Sequence, residues 1–465
     1  MGFSAFEAGY SRRELLRRIG GGFGTLGLAS VLAGESRAAE PIPLNPLAPK
    51  PTHFKARATR VIFLFMNGGP SHVDTFDPKP MLAKNHGGAV PAAIKPLRKG
   101  GGLMKSPFAF KKYGASGIEV SELFPEVGGC IDDLCVIRSM HTDIPNHEPA
   151  LLMMNSGQIQ PTRPSLGSWL TYGLGTENQD LPGFVVLCPG KPVVGPQLWG
   201  NSFLPGIYQG THINNKAIDP KHVIAHLHNA RLGRDDQRRQ LDLIQALNHT
   251  HLDGRGRDAQ LEARIESLEM AYRMQFEAQD AFDIGKESPA TRARYGTGEF
   301  ADACLIARRL AERGVRIVQV YYGNNQPWDD HADIQNHRNH ARNSDRPIAA
   351  LLKDLKARGL LDETLVVWGG EFGRTPTSEG AKGRDHHSTG FTMWLAGGGV
   401  KGGHVHGATD ELGFLAIEDK VHVHDLHATI LHLLGIDHTR LTYRYSGRDF
   451  RLTDVHGEVA TGVLA

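Results

Sequence analysis

The stretch VIFLFMNGGPSHVDTFDPKP, Val61 to Pro80, decides how the rest of the chain is read. From Arg60 to Met66 it is apolar without alternation, and a strand of that kind is buried on both faces, as in a parallel sheet covered by helices. The run opens onto Asn67, Gly68 and Gly69, then Ser71, His72, Asp74 and Asp77. Open α/β sheets bind ligands beyond the carboxyl ends of their strands, so these polar residues stand where a site belongs. Asn67 can offer an amide oxygen to a divalent ion. His72 and Asp74 can be ligands, can meet an anion or can brace the loop, and turn formation by Asn, Gly and Pro explains the same composition.

The same texture recurs at Leu134 to Arg138, Phe184 to Leu187, Val315 to Tyr322, Thr364 to Trp368 and Phe391 to Leu395, each a short apolar run rich in β-branched or aromatic residues. Helical patterns from Phe300 to Arg313 and from Pro347 to Arg358 end in basic residues followed by Gly314 and Gly359. Helix, strand, helix, strand over residues 300 to 368 is a βα repeat, and the fold class is α/β with a mostly parallel central sheet. Residues 221–284 differ: charge dominates, and Leu261, Ile265, Leu268, Tyr272 and Phe276 mark one apolar face of a helical insertion. That insertion reads as a helix packed on its own domain, or as a lid or dimerisation element.

Hydrophobic residues make up 40% of the chain, charged residues 22%, and the formal net charge is +2, so nothing calls for a nucleic-acid partner. The unusual counts are 24 His and 55 Gly, which favour metal ligation and close backbone approach to a ligand. The four cysteines show neither C-x-x-C nor zinc-ribbon spacing. At the N-terminus Arg12 and Arg13 precede a glycine-rich apolar stretch, Ile19 to Ala33, and a small-residue site near Ala38. This resembles a twin-arginine export signal over residues 1–39; the stretch is shorter than the ~20 residues a membrane span needs. A Pro-rich linker, 40–57, leads into the domain, 58–465. Expected from this are export to the periplasm or envelope, the twin-arginine translocase as a transient partner, and no stable membrane span.

Four clusters carry the chemistry. Beside the Asn67 loop, NHEPALL places Asn146 as an N-cap and His147 at a helix start able to hold an anion, with Thr142 just ahead. A capped structural helix explains that segment equally well. In QPWDDHAD, Asp329, Asp330, His331 and Asp333 follow a strand and form a mixed oxygen and nitrogen set suited to zinc or manganese and less suited to calcium. In GGEFGRTP, Glu371 ends a strand and Arg374 follows, able to grip an oxyanion bidentately; Asp385, His386 and His387 precede another strand. Together they point to one composite site for one or two divalent ions and a tetrahedral anion.

MNGGPSHVDTFDPKP, NHEPALLMMNSG, RPSLGSWLTYGLG, PWDDHAD, GGEFGRTP, DHHSTGFTMWLAGGGVKGG, GATDELG, DLHATILHLLGID and YSGRDFRLTDVHG, taken together from residue 58 to about 460, resemble the exported bacterial domain-of-unknown-function family fifteen-oh-one, a relative of sulfatases and alkaline phosphatases. The resemblance implies a three-layer α/β/α fold with two neighbouring metal positions. It places the first-strand ligand at Asn67 and the helix-start nucleophile between Thr142 and His147. An Asp with its nearby His falls on Asp329 and His331, the later pair on Glu371 and Phe372, and the final His on His387, with His386 as competitor. Phe372 cannot ligate and Asn67 is neutral, so a second ion is held less tightly. TDIPNHEPALL also lacks the cysteine-containing C-x-P-S-R motif of formylglycine sulfatases.

The expected activity is metal-dependent hydrolysis of sulfate or phosphate esters, on a polyanionic or carbohydrate-derived substrate. Catalytic candidates are Thr142, His147 and Arg374; metal candidates are Asn67, Asp329, His331, Glu371, His386 and His387, with a divalent zinc, manganese or calcium ion as cofactor. Asn146 and His72 are the anion-binding candidates, and Asp74 and Asp385 stand in reserve. A polyanion- or glycan-binding protein that has lost catalysis, and a structural envelope protein, are the rival expectations.

Overall fold

A computed structural model describes residues 45–92, 94, 101–216, 218–219, 233–255 and 259–465. The expected export segment lies outside the described residues. Residues 45–57, expected as an extended linker, are docked on the domain: Lys50 N donates to Leu174 O, His53 N to Gly435 O and Arg57 N to Leu433 O.

Nine strands form the central sheet. They are β1 (Arg60–Phe65), β2 (Leu134–His141), β3 (Phe184–Leu187), β4 (Thr211–Ile213), β5 (Ile317–Tyr321), β6 (Thr364–Gly369), β7 (Phe391–Ala396), β8 (His404–His406) and β9 (Val421–His422). Their order is β8-β2-β7-β6-β1-β5-β3-β4, with β9 also paired to β2. Every residue of β1, β3, β5, β6 and β7 is buried, as a sheet covered on both faces requires. β1 sits between β5 and β6 and is parallel to both. β7 alone runs against its neighbours, antiparallel to β2 and β6.

Adjacent residues of a strand point to opposite faces, and Tyr321 and Tyr322 show what covers each one. Tyr321 Oη reaches Asn155 of α1 (His147–Ser156), while the Tyr322 ring meets Phe300 of α5 (Glu299–Glu312) at 5.2 Å. α7 (Val423–Leu433) joins α1 through His427 Nε2 and Met154 O, 2.8 Å apart, and α5 packs with α6 (His337–Ala357) on the other side. The result is the three-layer α/β/α arrangement. α6 begins ten residues before Pro347, where the sequence pattern starts it; buried His337, Ala341 and Ser344 anchor its first turns, and a mid-helix proline removes only one backbone bond.

Within the expected insertion lie α3 (Arg234–Arg255) and α4 (Ala259–Phe282), following α2 (Leu166–Leu174) in chain order. Among the described side chains of α4, Met270, Met274, Ala278, Ala281 and Phe282 are buried, whereas Leu268 of the expected stripe is 47% exposed. Arg309 of α5 sets this rotation by donating to the carbonyls of Asp280 and Ala281. Among the described residues no helix is long and apolar enough to cross a membrane.

Candidate metal centre

The antiparallel β7 explains how the clusters meet. Because it runs backwards, the residues just before it arrive at the same edge where β1, β5 and β6 end. His386–His387 pairs there with Gly373–Arg374 in a two-stranded ribbon, His386 opposite Arg374. The loop after β1 closes against the loop after β5: Trp328 N donates to Asn67 O, and a Cβ at Gly68 (φ +109°) would stand 2.7 Å from the backbone nitrogens of Trp328 and Asp329. Only glycine admits that approach.

His147, Asp329, His331 and His386 converge so that one donor atom from each lies within 4.8 Å of the others. Asp329 Oδ1 is the hub, 2.8 Å from His331 Nε2, 3.1 Å from His147 Nε2 and 3.2 Å from His386 Nε2. Each imidazole is held from behind by its other nitrogen. His147 Nδ1 is 2.6 Å from Glu371 Oε1, His386 Nδ1 is 2.9 Å from Pro145 O, and His331 Nδ1 contacts Glu379 Oε2. Such oxygen partners fix the tautomer and turn Nε2 forward as a lone pair, the arrangement that surrounds metal-ligating histidines. His147 Nε2 is buried, and Asp329 Oδ1, 3.1 Å away, is out of line for a full hydrogen bond to it, so the donor set fits a cation.

Electrostatics agree with that geometry. Burial alone would raise the Asp329 pKa, but His147, His386 and the Arg374 guanidinium hold it well below the usual carboxylate range. Burial opposes charge on His147, yet the Asp329 and Glu371 carboxylates raise its pKa; at His386 burial prevails and the pKa falls.

Glu371 is fully buried and accepts from Gly68 N at 3.0 and 3.2 Å, so it locks the β1 turn to His147. Phe372, which cannot ligate, packs its ring 4.7 Å from His147 and 4.9 Å from His386 and fixes both rings. Two supports escaped sequence reasoning. Glu379 sits in a glycine-rich loop without strand-end spacing. His337, fully buried, has Nδ1 2.6 Å from Asp330 Oδ2 and accepts from Ser71 N at 3.1 Å, joining the loops after β5 and β1.

The other sequence candidates fall around this cluster. Asn67 is fully buried; its Nδ2 donates to Asn325 O at 2.5 Å and its Oδ1 has no partner. Arg374 is fully buried too: NH2 donates to Asp329 Oδ1 at 2.6 Å and to Gly68 O, and Nε donates to Gly69 O at 2.9 Å. It therefore braces Asp329 and does not point outward at an anion. His387, expected as the final ligand, lies outside the cluster because successive side chains of an extended ribbon point to opposite sides. Its Nε2 is 2.6 Å from Phe414 O, and its ring stacks on His72 at 5.8 Å. His72 Nε2 is likewise spent on Gly413 O at 2.8 Å, while its buried Nδ1 has no hydrogen-bond partner.

Asp74 is not a ligand: fully buried, it takes Arg384 Nε at 2.6 Å and NH2 at 3.2 Å and accepts from Ser71 Oγ at 2.5 Å. Asp385 Oδ1 accepts from His386 N at 2.7 Å and stands 4.0 Å from His331 Nδ1, behind the centre. Asn146 occupies the N-cap of α1 without a side-chain capping bond. Thr142 is buried, its Oγ1 without a hydrogen-bond partner and its N–H donating to Ser388 O.

Fold and site together define a three-layer α/β/α protein with a His/Asp centre able to hold a metal at the carboxyl edge of its sheet. The family described as "Protein of unknown function (DUF1501)" matches residues 58–464, and the chain belongs to it. No curated protein matches the sequence. Similar solved structures include Ps i-CgsB in complex with k-i-k-neocarrahexaose, at 12% identity over 81% of this chain and 72% of that one, TM-score 0.38. An alkaline phosphatase superfamily protein from Vibrio parahaemolyticus is 8% identical over 87% and 73%, TM-score 0.35. The PsFucS1 sulfatase from Pseudoalteromonas sp. is 12% identical over 82% and 68%, TM-score 0.33.

Proposed function

We propose that this chain is an exported hydrolase of sulfate or phosphate esters that works with one divalent ion. The observation that carries the reading is the convergence of three Nε2 atoms, each imidazole braced at Nδ1 by an oxygen, on the single carboxylate of Asp329. His147, Asp329, His331 and His386 would hold the ion, and three imidazoles with one carboxylate suit zinc or manganese over calcium. Export rests on the sequence of residues 1–39.

When bound, such an ion supplies Lewis acidity toward an ester oxygen and acidifies water. The chain's own residues set the stage. Glu371 holds His147 in one tautomer, and Arg374 keeps Asp329 ionised while its fixed positive charge stands where Phe372 and neutral Asn67 give no support to a second ion. The first turn of α1 adjoins the centre through His147; Pro149 has no N–H and Ala150 N donates to Asn146 O, so the N–H groups of His147 and Glu148 are the ones that can meet an ester oxyanion. Side chains of Asp329 and His331, 23% and 32% exposed, form the open side from which a substrate reaches the centre.

A second reading, glycan or polyanion binding without turnover, draws on a different observation: the catalytic candidates Thr142, His147 and Arg374 are all buried. One experiment separates the two. Purified protein, analysed for metal and loaded with zinc or manganese, is assayed on p-nitrophenyl sulfate, p-nitrophenyl phosphate and a phosphodiester. The hydrolase reading expects about one ion per chain and turnover of one ester class, abolished in Asp329→Ala; no turnover with either metal supports the binding reading.

A further inference from the structure

The turn that supplies two of the four donors of the centre is gripped from behind as well as from in front. Over Trp328, Asp329, Asp330 and His331 the side chains divide by alternate residues. Asp329 and His331 meet at the centre, 2.8 Å apart, while Trp328 and Asp330 are buried against the start of α6. There the His337 ring, fully buried, stands edge-on to the Trp328 ring at 4.9 Å, and its Nδ1 lies 2.6 Å from Asp330 Oδ2. His340 Nε2 is farther away, 3.7 Å from the same oxygen. Asp330 separates the two ligands in sequence, so whatever fixes its side chain fixes the turn that spaces them.

The two partners of His337 assign its ring atoms. A carboxylate accepts and a backbone N–H donates, so Nδ1 donates to Asp330 and Nε2 accepts from Ser71 N at 3.1 Å. One imidazole thereby ties α6 to the ligand turn and to the loop after β1. Arg374 makes the opposite tie between the same two loops, donating to Asp329 Oδ1 at 2.6 Å and to the carbonyls of Gly68 and Gly69. Asp329 is held in front through its own carboxylate and behind through its neighbour. The two ties differ in one respect: Arg374 draws on Oδ1, the oxygen that an ion would take, whereas the bond from His337 to Asp330 leaves that oxygen to the ion.

We propose that His337 is a positioning residue of the metal centre, acting through Asp330 to hold Asp329 and His331 at the spacing a small divalent ion needs. The proposal rests on the metal reading of the cluster and not on turnover. The test is chelator competition for zinc, together with the visible spectrum of the cobalt(II)-loaded full chain, in variants that split the two bonds. His337→Asn sets an amide where Nδ1 stood and keeps a donor for Asp330. His337→Gln reaches to where Nε2 stood, keeps an acceptor for Ser71 N and loses the bond to Asp330. Partners of ligating histidines are worth about 10–100-fold in metal affinity, and this bond lies one step farther from the ion, so His337→Gln should lose about tenfold and shift the cobalt band. His337→Asn should stay within a few-fold of wild type and keep the band. Asp330→Ala/His337→Gln should lose no more than Asp330→Ala alone, because both changes cut one link. A merely structural His337 would instead lower the thermal midpoint of both single variants alike and leave the cobalt band unmoved. Should the His337 variants fail to fold, Asp330→Asn, which keeps the shape and weakens the acceptor, carries the test with the same expected direction in affinity and band. Wild-type zinc affinity and cobalt band in folded His337→Gln, or in Asp330→Asn where that variant stands in, overturns the proposal. A wild-type chain that takes up neither zinc nor cobalt overturns the metal reading itself, and the role of His337 with it.

Discussion

His331 Nε2 and His386 Nε2 face each other at 2.9 Å, with Asp329 Oδ1 beside both. With their Nδ1 atoms already engaged by Glu379 and Pro145 O, two neutral rings would oppose lone pair to lone pair. A shared proton or a cation removes that conflict, and a cation also engages His147 Nε2, 3.1 Å from the same carboxylate oxygen. His386→Ala should therefore strip the protein of zinc or manganese, whereas His387→Ala, which loses the bond to Phe414 O and the stacking on His72 outside the cluster, should retain it. Elemental analysis after gel filtration decides the matter; metal retained by His386→Ala and lost by His387→Ala would reverse the assignment.

Glu371 reaches the centre only through His147 and the Gly68 N–H, so it is a positioning residue. Glu371→Gln keeps the shape but turns an amide donor toward one of two N–H groups that need an acceptor. Partners of this kind are worth about 10–100-fold in metal affinity when removed. Competition against a chromogenic chelator should show a loss of that size with the far-ultraviolet circular dichroism unchanged; unaltered affinity would make Glu371 purely structural.

The six apolar strands were legible in sequence because burial on both faces writes itself as an unbroken hydrophobic run. β4, β8 and β9 were not, being two or three residues long with histidines among them, too short for any pattern. Asp329, His331, Glu371 and His386 stood out by lying at strand ends. Choosing between His386 and His387 needed the pairing of their ribbon with Gly373–Arg374, which sets the side each ring takes and which local sequence does not show. Likewise Arg384 and His337 carry no spacing signal toward Asp74 and Asp330; only the closed loops bring them together.

The Asp74–Arg384 pair is fully buried on both sides, and the arginine overcomes burial to hold the carboxyl below its ordinary range. Removing one partner strands a charge: Arg384→Met should cost about 3–5 kcal/mol of unfolding free energy, and Asp74→Leu/Arg384→Met should recover much of it. Metal content should stay at the wild-type level in each folded variant. Guanidinium melts and elemental analysis together test this, and a metal-free but stable Asp74→Leu/Arg384→Met protein would return Asp74 to the ligand set.

His427, on α7, is fully buried against α1, and burial pushes its pKa down to about 3 although the Met154 carbonyl pulls the other way. The unfolded chain takes up a proton near pH 6.5 that the folded chain refuses until about pH 3. Between those values the unfolded state binds more protons, so the stability this residue contributes is complete above pH 6.5 and drains away as pH falls, at up to ~1.4 kcal/mol per pH unit. His427→Gln removes the titration, keeps a side-chain donor for Met154 O, and should flatten the acid limb by that slope relative to wild type. Urea unfolding of both proteins at pH 7, 6, 5 and 4 measures it; parallel limbs would mean that His427 does not hold off its proton in the folded state.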